Sequence, residues 1–569
     1  MLLILISWLY IAWTIHLWGT AGNHVLRLKI SLPIVQTTMG LVLLTFFAGT
    51  WAIFGRLHWE FHSVLLVLNF IIAWRYSSEW ITGIRQTIQR FTSLNLFLKS
   101  YFIGIAVLIL AQCASAPYVI DNESYYLQNI KWLNEYGMVK GLINLHFFLG
   151  QLSGWHIAQS ALNFSFLYDR FNDLSALFLL YGVFFSVQQL QQYFESGKRH
   201  QLIVGLFPLA SVLLFQFISA PSPDVVVYVL TFVIFFLFVE HYANPTKEVF
   251  AQLTLLVLFT LFIKNTAMTL ALLPAFWFVV HFNSLKSSFP KIVLLCSATL
   301  GLFVAKNLII CGVPVFPSKL FSGNYFDYSL PVEIEHFYYE ELKKYGYFLT
   351  TENYDSFSKW QLFLRWLQLP KMNGLFNKLG IALLLITPFF FLKIKEKAYR
   401  VLYFVLLIQM GLLFATSPQY RFFLNGILWL GCLGVSLFFY KRKTIHSLLL
   451  ISAIPLLVFV FVPVNLNRFS NYKFMLALSH FEPEYTVYPH ANSKYDMTFE
   501  KVSEGNLEYY SPINHDFFWG TYNGPLPTVN KDQVEYFKTY FHLIPQQRST
   551  DLKDGFYSKK LPHDAKRTP

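Results

Sequence analysis

The chain has 569 residues, of which 55% are hydrophobic, 19% aromatic and only 13% charged, and it holds 60 phenylalanines. This is the usage of an integral membrane protein and excludes an ordinary soluble domain. The formal net charge of +13 does not indicate nucleic acid, because the basic residues sit in short clusters between apolar runs, as in the inward loops of a polytopic protein.

The first apolar run, "MLLILISWLYIAWTIHLWG", lacks the basic leader and small-residue cleavage site of a secretory signal, so it is expected to stay as a span. Nothing basic precedes it, whereas Arg27 and Lys29 follow, which puts the N-terminus outside. Runs of roughly 17 to 22 apolar residues then predict helices near 1–19, 33–54, 60–75, 97–115, 172–192, 201–219, 224–240, 248–263, 266–282, 291–311, 378–392, 400–416, 422–440 and 444–463. With this threading the basic clusters all fall on one side, from Arg27/Lys29 through Arg75/Arg85/Arg90 and Lys198/Arg199 to Lys441/Arg442/Lys443. The stretch "GLINLHFFLGQLSGWHIAQSALNF" is apolar too, but counting it as a span would reverse every later loop, so it is read as short helices at the outer leaflet. Cys113, Cys296, Cys311 and Cys432 lie in or beside apolar runs without metal-ligand spacing and read as packing residues.

The predicted fold is therefore an all-α polytopic membrane protein of about fourteen transmembrane helices with a small mixed α/β extracytoplasmic C-terminal domain. Residues 1–96 are accessory spans, 97–311 a seven-span module whose first outer loop is 116–171, 312–377 a second outer loop, 378–463 the last spans and 464–569 an outer tail. The second loop should contain short helices that cover a cavity or anchor the chain at the bilayer edge. The tail should contain a helix near "KDQVEYFKTYFHL" and turns such as "TYNGPLPT". No internal repeat is evident, which weakens a reading as an inverted-repeat transporter.

The first outer loop opens with "IDNESYYLQNIKWLNEYG", two carboxylates at the end of a span. Tyr126, Ile130, Leu133 and Tyr136 would form one face of a helix opposite Gln128, Lys131 and Glu135, predicting an amphipathic helix at the membrane interface. The structural reading of the acids is that Asp121 caps this helix and Glu123 complements its positive end. The functional reading rests on their company at the same depth. Asp224 begins one span, where Ser222 and Pro223 would serve equally as cap and first turn. Lys264 sits between two spans, Lys306 about a turn inside the outer end of another, and Arg421 at the start of a third. Three cations at one depth suggest an anion, and a headgroup-level anion beside carboxylates suggests a phosphate-bearing lipid attacked by a hydroxyl. An acid pair can alternatively hold a divalent cation such as Mg or Mn through oxygen ligands.

These residues, together with "YGMVKGLINLH", "SAPSPD", "KNLIICGVPVFPS" and "SPQYRFF", resemble the GT-C superfamily of integral-membrane glycosyltransferases and an uncharacterised bacterial envelope branch with that fold. The resemblance implies a GT-C-like module in which Asp121 is the catalytic base and Glu123 assists it or binds metal. Asp224 would lie near the cavity, Lys264, Lys306 and Arg421 would bind the lipid phosphate, and His146 would contact substrate. It implies a polyprenyl-phosphate-sugar donor and a glycan, lipid or protein acceptor. Transfer would occur at the periplasmic face of a bacterial inner membrane and invert the sugar. The rival readings are a lipid or glycan flippase or transporter, and a lipid-linked glycan polymerase or ligase.

Overall fold

In the computed structural model, which describes residues 1–168, 170, 172–465, 469–470 and 480–562, every predicted span is helical. Among the described residues, eleven helices are long and apolar enough to cross a membrane. They are Leu2–Leu26, Pro33–Phe54, Leu96–Ala114, Leu174–Ser196, Arg199–Phe217, Pro223–Glu240, Phe282–Cys311, Lys371–Phe390, Lys397–Ala415, Tyr420–Phe438 and Arg442–Phe461. The other three predicted spans fold into shorter or bent elements. Trp59–Arg75 breaks by 89° against Ser77–Thr92, Lys247–Ile263 has 17 residues, and Asn265–Val280 is a short apolar helix. Hydropathy counts apolar residues in a row, whereas a span must also keep one helix axis over about 30 Å.

Helices in this bundle approach through small residues and satisfy their own polar groups, as helices without water must. At the crossing of Leu2–Leu26 and Pro33–Phe54, a Cβ on Gly40 would lie 1.8 Å from the Ile15 carbonyl oxygen and one on Gly19 2.2 Å from that of Gln36. Buried Asn69 bridges Thr14 Oγ1 and Trp18 Nε1 at 2.9 Å each, tying the bent pair to the first helix. Buried threonines such as Thr38, Thr231 and Thr260 donate to the carbonyl four residues back at 2.7 to 2.8 Å.

Contacts between loops sort the two ends of the bundle. Basic-cluster loops meet at one end, where Lys29 pairs with Glu248 at 3.0 Å and Lys291 donates to the Leu26 carbonyl at 2.7 Å. The first outer loop, the second loop and the tail meet at the other. Lys131 Nζ donates to the carbonyls of Asn523 and Gly524, Arg548 pairs with Asp327, and Phe337 packs on Phe541.

The second loop forms the three short helices Val332–Tyr345, Thr351–Asp355 and Lys359–Leu367. In the tail, β1 (Phe499–Glu504) pairs antiparallel with β2 (Leu507–Pro512) and β3 (Leu543–Gln547) with β4 (Phe556–Lys560), with a helix over Lys531–Phe541. The predicted tail domain also spans 466–468, 471–479 and 563–569, which lie outside the described residues. The tail is fastened to the first outer loop by backbone: Phe556 N donates to the Lys140 carbonyl at 2.9 Å. Gly555 adopts a positive φ of 94° there, and a Cβ on it would meet the Lys140 oxygen at 1.9 Å.

The tail changes the first outer loop from the predicted interfacial helix. Residues Asn122–Tyr126 form a wide π-turn and Leu127–Glu135 an α-helix, and most of both faces are buried. Of the predicted polar face, Gln128 is fully buried and donates to the Gly524 carbonyl of the tail at 3.0 Å, Lys131 is half-buried, and only Glu135 stays exposed. Likewise "GLINLHFFLGQLSGWHIAQSALNF" forms short helices, including Gly154–Ala161, but they are buried against neighbouring helices instead of lying on a leaflet. Cys113, Cys311 and Cys432 are buried and all four cysteines are free thiols.

Candidate functional site

Asp121 immediately precedes the π-turn, a helix form that recurs at functional sites, and makes no capping hydrogen bond. Its carboxylate instead reaches across 300 positions of sequence to Arg421, whose Nη1 lies 2.5 Å from Asp121 Oδ2. Tyr126 Oη donates to the same oxygen at 3.4 Å. Burial first, and then the neighbouring Asp121 and Asp224 charges, push the Tyr126 phenol well above its ordinary pKa, so it stays a donor.

Arg421 stands in the first turn of Tyr420–Phe438. Tyr228 Oη fixes its backbone by donating to the Arg421 carbonyl at 2.7 Å, and Gln419 Oε1 accepts from its Nε at 3.3 Å. Beside it lies a second ion pair, Lys264 with Asp224. Ser222 Oγ accepts from Asp224 N at 3.4 Å, so the predicted cap and first turn form, and the carboxylate is left for the lysine. Both cations stack on one ring, with Lys264 Nζ 4.8 Å and Arg421 Cζ 5.3 Å from the centroid of Phe422. Four candidates named from sequence, Asp121, Asp224, Lys264 and Arg421, are thus brought together.

The remaining three are not. Glu123 points the other way, into the tail: Oε2 accepts from Ser493 Oγ at 2.6 Å, and Oε1 from Lys494 N at 2.9 Å and Asn122 Nδ2 at 3.0 Å. Burial nevertheless raises its pKa above the usual carboxylate range, against the pull of those donors. With Asp121 committed to a guanidinium and Glu123 ringed by donors, the two do not converge on a shared cation and the expected metal pair does not fit. No group of three or more His, Cys, Asp or Glu side chains able to hold a metal occurs among the described residues. His146 is buried beneath the tail, where Nδ1 accepts from Phe148 N at 3.2 Å and Nε2 lies 3.3 Å from the Trp519 carbonyl. Burial lowers its pKa to about 4, which suits a neutral structural histidine. Lys306 donates to the Leu152 carbonyl at 2.7 Å and to Asn307 Oδ1 at 2.9 Å, which satisfies its ammonium inside the bundle.

Arg421 also forms part of the wall of a cavity of about 550 Å³ that is otherwise strongly apolar. Ile120 comes from the segment before Asp121, Phe348 from the second loop, and Ile454, Val458 and Phe459 from the helix Arg442–Phe461. The second loop also gives Tyr345 and Gly346 to this wall, and Arg365 donates to the carbonyls of Tyr347 and Phe348, pinning it. Sequence reading missed Tyr126, Phe422 and the cavity wall. Phe422 had a signal, as the residue adjoining Arg421; the wall, drawn from distant segments, had none.

No curated protein and no solved structure shows significant similarity to this chain. A family described as a domain of unknown function (DUF8201) matches residues 1–428, a stretch that includes Asp121, Asp224, Lys264 and Arg421. With three quarters of its length inside that match, the chain belongs to the DUF8201 family.

Proposed function

We propose that this multi-pass membrane protein is a GT-C-type glycosyltransferase that moves a sugar from a polyprenyl-phosphate carrier to an acceptor hydroxyl. The observation that carries the reading is the Asp121–Arg421 pair, whose arginine lines the apolar cavity. A long isoprenoid chain suits the cavity, while Arg421, with Lys264 beside it, suits the phosphate.

In this reading the arriving phosphate draws the guanidinium away from Asp121. The freed carboxylate takes the acceptor hydroxyl proton as the new C–O bond forms at the anomeric carbon. The bond from that carbon to the phosphate oxygen breaks, and its electron pair stays on the phosphate, where Arg421 stabilises the growing charge. Direct displacement inverts the anomeric centre. The basic-loop end faces the cytoplasm, following the positive-inside rule, and the site faces the outer side, periplasmic in a bacterium. About fourteen passes would include the three short or bent elements.

The test is transfer of radiolabelled sugar from polyprenyl-phosphate donors by purified protein in proteoliposomes. Asp121→Asn should lose at least about a hundredfold in rate while the fold persists. Movement of carrier lipid across the bilayer that is indifferent to Asp121→Asn would favour the flippase reading and overturn this one.

A further inference from the structure

A second cavity, of about 280 Å³, opens along the flank of the helix Leu127–Glu135, one to four turns beyond Asp121. Its wall is rich in amides that converge from separate segments: Asn134 on the helix, where it is paired with Ser160 and Ser165, Asn163 and Asn172 in the loop after Gly154–Ala161, and Asn492 and Asn523 in the tail. Asn163 and Asn172 are only 3% and 6% exposed, yet Asn163 Oδ1 and both polar atoms of Asn172 have no hydrogen-bond partner among the described residues. A buried amide left unpaired costs about 1 to 3 kcal/mol, a cost that a ligand reaching Asn163 and Asn172 from the cavity would offset.

The chemistry of the wall selects the occupant. An amide offers two donors and an acceptor, the pattern that neighbouring hydroxyls of a sugar ring answer in both directions. Leu127, Ile130 and Leu526 supply an apolar strip for the ring's C–H face. An anion is disfavoured, because Glu135 is on the wall and the Lys131 ammonium already donates to the Asn523 and Gly524 carbonyls at 3.0 and 2.9 Å. A metal ion would want more than one carboxylate. The volume is near the lower limit of ligand cavities, about 300 Å³, which suits one or two sugar rings.

We infer that this amide-lined cavity is a saccharide-binding subsite, separate from the Asp121–Arg421 site. Binding there does not depend on the proposed reaction; if that reaction holds, the subsite grips an extended glycan acceptor away from the reacting hydroxyl.

The test uses the full chain in detergent and methyl glycosides of glucose, galactose, mannose and N-acetylglucosamine at millimolar concentration, read by saturation-transfer NMR. At least one glycoside should bind, and Asn172→Leu should weaken it tenfold or more. Asn523→Trp fills the cavity from its half-buried rim without removing a buried amide, and should abolish binding even if Asn172→Leu misfolds; circular dichroism checks each fold. Arg421→Gln should leave glycoside binding unchanged while it abolishes sugar transfer, which separates this subsite from the proposed reaction. Absence of binding by every glycoside, binding of inorganic phosphate instead, or binding that survives a folded Asn523→Trp would overturn the inference.

Discussion

Opposite replacements within the Asp121–Arg421 pair should move lipid-phosphate affinity in opposite directions. The two side chains are 17% and 24% exposed and 2.5 Å apart, so the pair is partly screened and its net worth is on the order of 1 kcal/mol. A phosphate must displace Asp121 from the guanidinium. Asp121→Asn removes that competitor and should tighten binding of a polyprenyl monophosphate by about 1 kcal/mol, roughly fivefold. Arg421→Gln removes a charge-assisted hydrogen bond worth about 1.5 to 3 kcal/mol, so affinity should fall roughly 10- to 150-fold. Both can be measured by titrating a fluorescent polyprenyl monophosphate into the protein in nanodiscs, at low salt and again at high salt, where the difference should shrink. If Asp121→Asn weakens binding as much as Arg421→Gln does, the pair is a brace between the first outer loop and the helix Tyr420–Phe438, and the exchange of partners is wrong.

Three further outcomes are expected. Lys306→Met should lower stability by about 1 to 3 kcal/mol through the unpaired Leu152 carbonyl yet leave lipid-phosphate affinity unchanged in the same titration; a loss of affinity would return Lys306 to the phosphate site. Gly555→Ala should lower the tail's melting temperature and expose it to limited proteolysis, because strain at a positive φ of about 1 to 3 kcal/mol is added to the clash with the Lys140 carbonyl. Gly197→Ala shares a positive φ of 71° but has nothing within 4 Å of its new Cβ, so it should cost measurably less. The third outcome is a pH effect at Lys494, which lies over the Tyr118 ring and has no hydrogen-bond partner for Nζ among the described residues. Burial lowers its pKa to about 8 from 10.5, against the pull of Glu123. The folded state therefore releases this proton before the unfolded state does, so stability should rise as pH goes from about 8 to 10.5 and be flat in this respect below 8. Thermal unfolding of Lys494→Met across that window should lack the rise; the same rise in the variant would assign it elsewhere.

The helical elements were legible because a bilayer demands length and apolarity, and both are written along the chain. The reading was weakest where an axis bends, as between Trp59–Arg75 and Ser77–Thr92, since hydropathy is blind to direction. Within the site, Arg421 and Asp224 were legible as charges at helix starts beside apolar runs, where a charge without a partner is costly. Glu123 was misread for a physical reason. Only two positions separate it from Asp121, and on a wide turn that spacing sends the side chains apart, one to Arg421 and the other to Ser493 and the Lys494 backbone. His146 and Lys306 carried the right chemistry at the right depth, but the Trp519 and Leu152 carbonyls near their polar atoms come from distant parts of the chain.

By itself the sequence determined a multi-helix membrane protein with its basic residues clustered in the short loops between apolar runs. These follow from the transfer free energy of each residue, a local quantity that sums along the chain. Tertiary structure decided which charges meet, because ion pairs such as Asp121–Arg421 span hundreds of positions and depend on how helices pack. It also decided that the tail lies over the first outer loop, burying Gln128 on the polar face of an expected surface helix, with an amide-lined cavity beside it.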